Sequence, residues 1–220
     1  MSKVIKFGED VVGYDIPVLN EREIRAAAGI LFLIMFISVL FAVMKADFLL
    51  LKYATTIFLT DILIRVFVNP QYSPFLIMGR LMVRNQVPEY VGAKQKKFAW
   101  IIGTVLASTI FVLQVVVNAR SPITGLICLV CLIFLFFETA FGICLGCKFY
   151  PLFQKDKIQY CPGEVCDVKS KQDIQKTSKA QILIVIGFIA YIVILSITLN
   201  EDFSKKPHDL FGIYSSQQSK

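Results

Sequence analysis

Apolar residues run almost unbroken through five stretches of the chain, and charge, proline and short polar clusters fill the gaps between them. Residues 26–44 and 180–199 contain no charged side chain. Residues 99–118 are interrupted only by Gln114 and Asn118 near their end, and 123–147 only by Glu138. The stretch 47–68, DFLLLKYATTIFLTDILIRVFV, has the same length but carries Lys52, Asp61 and Arg65. A hydrocarbon layer of about 30 Å takes roughly 20 apolar residues of helix, because backbone groups must find their hydrogen bonds inside the segment. The pattern predicts an all-α fold, a polytopic membrane helix bundle with a four-span core over 26–150 and a fifth span at 180–199.

The segments between these runs predict how the helices begin and end. In VLNEREIRAAAG, Asn20 is placed to cap the first helix, with Glu23 three residues on to complete a capping box, and Arg22 and Arg25 to mark the lipid boundary. After the second run, NPQYSP (69–74) must break the helix, since Pro70 and Pro74 favour turn geometry. FLIMGRLMVRN follows, with Arg80 and Arg84 one turn apart and an apolar remainder, the pattern of a short amphipathic helix at the membrane interface. Residues 1–25 then form an N-terminal segment, 151–179 a Cys-containing loop, and 200–220 a flexible tail. No short apolar core followed by a small-residue cleavage site precedes the first span, so no cleavable signal is expected there.

Composition agrees with the pattern: 56% of the residues are hydrophobic and 18% charged, against about 25% charged in a soluble domain. The net charge of +7 looks at first like a nucleic-acid signal, but its distribution is that of a membrane topology. Sixteen of the 23 Lys and Arg fall in the N-terminal segment, the 69–98 connection and the 148–179 loop, and five in the alternate segments. Cytoplasmic segments hold the excess. This places the N-terminus in the cytoplasm and the C-terminus outside, with anionic membrane lipids as partners and no nucleic acid.

Intramembrane charges are costly and therefore informative. Asp61 and Arg65 are four residues apart and face the same side of one helix, while Glu138 falls at a similar depth in another. One guanidinium is placed to hold both carboxylates, either as a clamp that fixes packing or as part of a polar cavity. Lys52 is expected to snorkel to the headgroups.

Six cysteines remain. Cys128 and Cys131 lie within the fourth run, where cysteine behaves as a small hydrophobe. Cys144 and Cys147, in FGICLGCKFY, share a helix face at the end of that run, next to Gly142 and Gly146. Cys161 and Cys166, in YCPGEVCDV, flank a Pro-Gly turn in the following loop, so four thiols converge on one side of the membrane. Two chemistries fit the pattern: a dithiol pair for exchange, or a four-cysteine zinc site of C-x2-C and C-x4-C spacing. A third reading takes the thiols as inert parts of a membrane scaffold or transporter accessory. The only histidine, His208, is in the tail, and no phosphate-binding glycine loop is present.

VLNEREIRAAAG, DILIRVFVNPQYSPF, KKFA and ETAFGICLGC, in this order, make the chain from about Val18 to Phe153 resemble the bacterial DUF4395 integral membrane proteins. The resemblance implies four spans in a bacterial inner membrane and marks Asp61, Arg65, Glu138, Cys144 and Cys147 as the family's polar and thiol positions. It also implies soluble rhodanese-like or thioredoxin-like partners, and with them thiol-redox or sulfur-relay chemistry. Nothing from the family extends to Cys161, Cys166 or the fifth span.

Overall fold

The computed structural model describes residues 7–147, 177–205 and 208–209. Over these the chain is a bundle of long helices: α1 (Glu21–Lys45), α2 (Leu49–Leu63), the short α3 (Pro74–Val83), α4 (Ala93–Phe111), α5 (Pro122–Phe136) and α6 (Lys179–Ser204). Three of them end in a π-helical turn: Ile64–Val68 after α2, Val112–Val116 after α4 and Phe137–Phe141 after α5. Counting those turns, α1, α4, α5 and α6 are long and apolar enough to cross a membrane. The α2 segment matches them in length, and its three charges, Lys52, Asp61 and Arg65, all turn inward and are buried. Large apolar side chains such as Leu33, Val105, Leu126 and Ile197 stand exposed around the outside, the surface that lipid requires.

The ends follow from local chemistry. Asn20 caps α1, its side chain accepting from Arg22 N. The expected capping box does not close, because the Glu23 carboxylate turns to the Asn20 side-chain amide (3.0 Å) and to Arg80 Nε (3.1 Å). Ser73 caps α3 and Pro74 takes the first helical position, where its missing N–H costs nothing. Ser178 and Gln181 form a capping box on α6. Gly142, at φ +66°, stops the fourth span in a left-handed conformation. The unbroken run to 147 is therefore corrected: the helix stops at Phe141, Cys144 follows in the break, and Cys147 stands in a new helical segment that begins at Leu145.

The core is a stripe of small and branched residues on α1 (Ala27, Ala28, Leu31, Met35, Ala42), a helix that packs against α2, α3 and α5. Small side chains let helices approach closely in lipid. The segment after α2 does not simply lie at an interface. Helix α3 packs along the first turns of α1, so tightly that a Cβ on Gly79 would meet Glu23 O at 2.5 Å, and Arg80 is buried against Glu23. Two short strands unforeseen in the sequence brace this end, β1 (Val18–Asn20) pairing antiparallel with β2 (Tyr90–Gly92). Helix α6 lies outside the core against α2 and α3, with only Gln181, Phe188, Leu195 and Phe203 buried.

Candidate functional site

At the end of the bundle that holds the cysteine turn, two ion networks stand around one small cavity of ≈ 60 Å³, enough for about two waters. Asp61, Arg65, Trp100, Glu138 and Cys144 all contribute to its wall. The three charged positions singled out in the sequence thus meet one of its thiols at a single place.

The first network fixes α2 to α3. Asp61 is fully buried, and its Oδ2 accepts from Arg65 Nε at 2.7 Å while its Oδ1 accepts from Ser73 Oγ at 2.7 Å and Phe75 N at 3.1 Å. The Arg65 guanidinium also lies 5.4 Å from the centre of the Trp100 ring. Both oxygens of this carboxylate are engaged, so the charge is held with little freedom.

Glu138 does not belong to that network, which corrects the expectation of one guanidinium for two carboxylates. Its Oε1 accepts from Lys96 Nζ at 2.7 Å, and the same ammonium lies 2.8 and 3.0 Å from the two oxygens of Glu21. Lys96 is 1% exposed and Glu21 0%. One cation on the first turn of α4 therefore ties together the start of α1 and the end of α5. The cause is geometric: Arg65 is committed to Asp61 and Ser73 and lies over Trp100, and Lys96 is the cation that reaches Glu138. Lys96 and Glu21 were hidden in the sequence, since KQKK reads as a solvated loop and NERE as a helix cap. The available signal was that Glu138 needed a cation at its own depth.

The thiol pair sits beside this second network. Cys144 and Cys147 are free and half-buried, with their sulfurs 2.6 Å apart and Cys147 donating toward Cys144. That separation exceeds the ~2.05 Å of a disulfide bond, so the pair is unbonded. Gly146 makes the arrangement possible, because a Cβ there would meet the Ala99 Cβ at 2.7 Å on α4. The charge of Lys96 acts on both sulfurs. The turn lies beyond Gly142 and the spanning helix, and the hydrogen bond to Cys144, followed by burial, pushes the Cys147 thiol well up. Cys147 thus keeps its proton.

Cys128 and Cys131 are buried in the bundle, as a filler role requires. Cys161 and Cys166 lie outside the described residues. Among the described residues no group of three His, Cys, Asp or Glu is arranged to hold a metal ion.

Lys52 corrects another expectation. Far from snorkelling, it is 2% exposed, and Nζ donates to Asn118 Oδ1 (2.7 Å) and to the carbonyls of Phe203 (3.3 Å) and Lys205 (2.9 Å). It clasps the end of α6 and the α4–α5 connection at the opposite end of the bundle.

No curated protein and no solved structure matches this chain. A family model does, over residues 19–155, which include both ion networks and the cysteine turn. The chain therefore belongs to the DUF4395 family, described as a domain of unknown function.

Proposed function

We propose that the protein is an integral membrane thiol exchanger, in which the Cys144/Cys147 pair takes a disulfide or a sulfane sulfur from a soluble rhodanese-like or thioredoxin-like partner. The observation that carries this reading is the pair itself: two unbonded, half-buried sulfurs facing each other beside a buried cation. Inert filler would have no need of Gly146 to seat it.

In disulfide exchange, the Cys144 thiolate attacks one sulfur of the partner's disulfide, and the partner's other sulfur leaves as a thiolate and takes up a proton. Cys147 then loses its proton and attacks Cys144 Sγ, releasing the partner's second thiolate. Two electrons pass to the partner, and the reverse sequence returns them. With a persulfide partner, the outer sulfur moves to Cys144 and the partner leaves as a thiol, with no net redox change.

The distribution of Lys and Arg supports five spans in the bacterial inner membrane, N-terminus in the cytoplasm, with the thiol pair facing the cytoplasm. In a reducing compartment a disulfide at this turn is transient, as exchange requires. A reporter active only in the periplasm is expected to work at Lys220 and to be silent at Lys171; equal behaviour at both sites removes the crossing by α6.

The functional test is Cys147→Ser. It should trap a mixed disulfide or persulfide on Cys144, seen by mass spectrometry without reductant and absent from Cys144→Ser. Zinc bound to the purified protein and released only when Cys144, Cys147, Cys161 and Cys166 become labelled together would replace this reading with a metal site. Free, independent labelling with no adduct and no metal would leave the scaffold reading.

A further inference from the structure

A second cavity lies at the opposite end from the thiol pair, among α1, α2, α5 and the turn that ends α4. It has a volume of ≈ 440 Å³, within the ~300–1,000 Å³ usual for small-molecule sites. Most of its wall is hydrocarbon, including Val39, Leu51, Leu129 and Leu132. Val43 and Leu129, which line it, are 74% and 53% exposed, so it opens between α1 and α5 toward the lipid-facing surface.

Its polar groups define what fits. The Lys52 ammonium has three acceptors for its three protons. Ser121 and Thr124 hydrogen-bond each other at 3.0 Å, and Ser121 Oγ also accepts from Thr124 N. With all three of its protons committed, the Lys52 ammonium offers a ligand no free donor, and no other charged side chain lines the space, so an uncharged ligand fits best. Gln114 is different. Carried inward by the Val112–Val116 turn and 8% exposed, it accepts from Thr55 Oγ1 at 3.3 Å, while its amide nitrogen has only a weak contact to Cys128 Sγ at 3.8 Å. A thiol is a poor acceptor, so the amide retains donor capacity at the cavity wall.

We propose that this cavity is a binding site for an uncharged lipophile that carries one hydrogen-bond acceptor, a ketone or ester oxygen, against the Gln114 carboxamide. The site is separate from the thiol turn and stands without the exchange reading. The ligand enters from the lipid between α1 and α5, and its hydrocarbon portion fills the apolar wall.

Benzophenone, an uncharged aryl ketone that crosslinks on illumination, is a suitable probe. With the full-length protein in detergent, labelling should be saturable and concentrated on Val39, Leu51 and Leu129. Gly125 lines the cavity, and a Cβ there would meet nothing within 4 Å. Gly125→Phe should fill the space and abolish the saturable labelling; Gly125→Leu serves the same purpose should the larger residue hinder folding. Gln114→Leu should raise the half-saturating concentration roughly five- to tenfold, as loss of one hydrogen bond does. Anionic 4-benzoylbenzoate should not compete. Labelling spread over outward residues such as Leu33 and Val105, and indifferent to Gly125, overturns the site. Saturable labelling unchanged in Gln114→Leu, or competition by the anion, overturns the ligand class.

Discussion

The two ends of the bundle solve the same problem, how to close helices over a polar interior, in opposite ways. At the thiol end, charges of both signs are buried in contact, two glycines admit backbone where no side chain fits, and the cavity between the ion networks holds ≈ 60 Å³. At the other end a single lysine ties two chain segments to α2, beside a cavity of ≈ 440 Å³. Buried ion pairs add little net stability but fix geometry, because removing one partner strands the other. The tight end therefore has the character of a reaction site held in register, and the loose end that of a receptacle.

The largest test of this contrast is a pair of lysine substitutions. Lys96→Met leaves Glu21 and Glu138 buried without their cation and should destabilise by about 3–5 kcal/mol, read as denaturant midpoint in detergent. Adding Glu21→Gln and Glu138→Gln should recover much of it. Lys52→Met loses hydrogen bonds to neutral oxygens only and should cost about 1–3 kcal/mol. Equal losses at the two positions would dissolve the distinction.

Arg65→Leu sharpens the division within the thiol end. It strands Asp61, and Asp61→Asn alone should restore most of the folded yield. Should recovery also demand a change at Glu138, the two networks are one.

Next come the glycines. Gly146→Ala forces Ala99 on α4 to move and should destabilise by about 1–3 kcal/mol while altering thiol reactivity. Gly125→Ala, with open space around its new methyl, should stabilise by about 0.5–1 kcal/mol through helix propensity. The smallest effect is kinetic. With Cys147 protonated, iodoacetamide should reach Cys144 several-fold faster than Cys147 throughout the mildly alkaline range.

Much of the architecture was legible because lipid imposes a length and a polarity on every spanning helix. Asp61 and Arg65 were legible as a pair because four residues is a local relation. Glu138 with Lys96, and Lys52 with the end of α6, are relations across 42 and up to 153 residues, invisible to any local period. Lys96 was further disguised by its three charged or amide neighbours in AKQKKF, which suit a solvated segment equally well. The break at 142–144 was missed because nothing in ETAFGICLGC distinguishes a glycine that packs from one that ends a helix until its backbone angle is known.

Arg65, Gln114 and Glu138 each sit in one of the three π turns, and that coincidence has a genetic meaning. A π turn is an α-helix that has taken in one surplus residue, so removing a residue there lets the ladder close regularly and swings the flanking side chains by about 100°. Single-codon deletions at these three places are thus natural on-off variants. They keep the helices while turning the guanidinium, the carboxamide or the carboxylate away from its partners, and relatives aligned with a one-residue gap there would share the scaffold without sharing its chemistry.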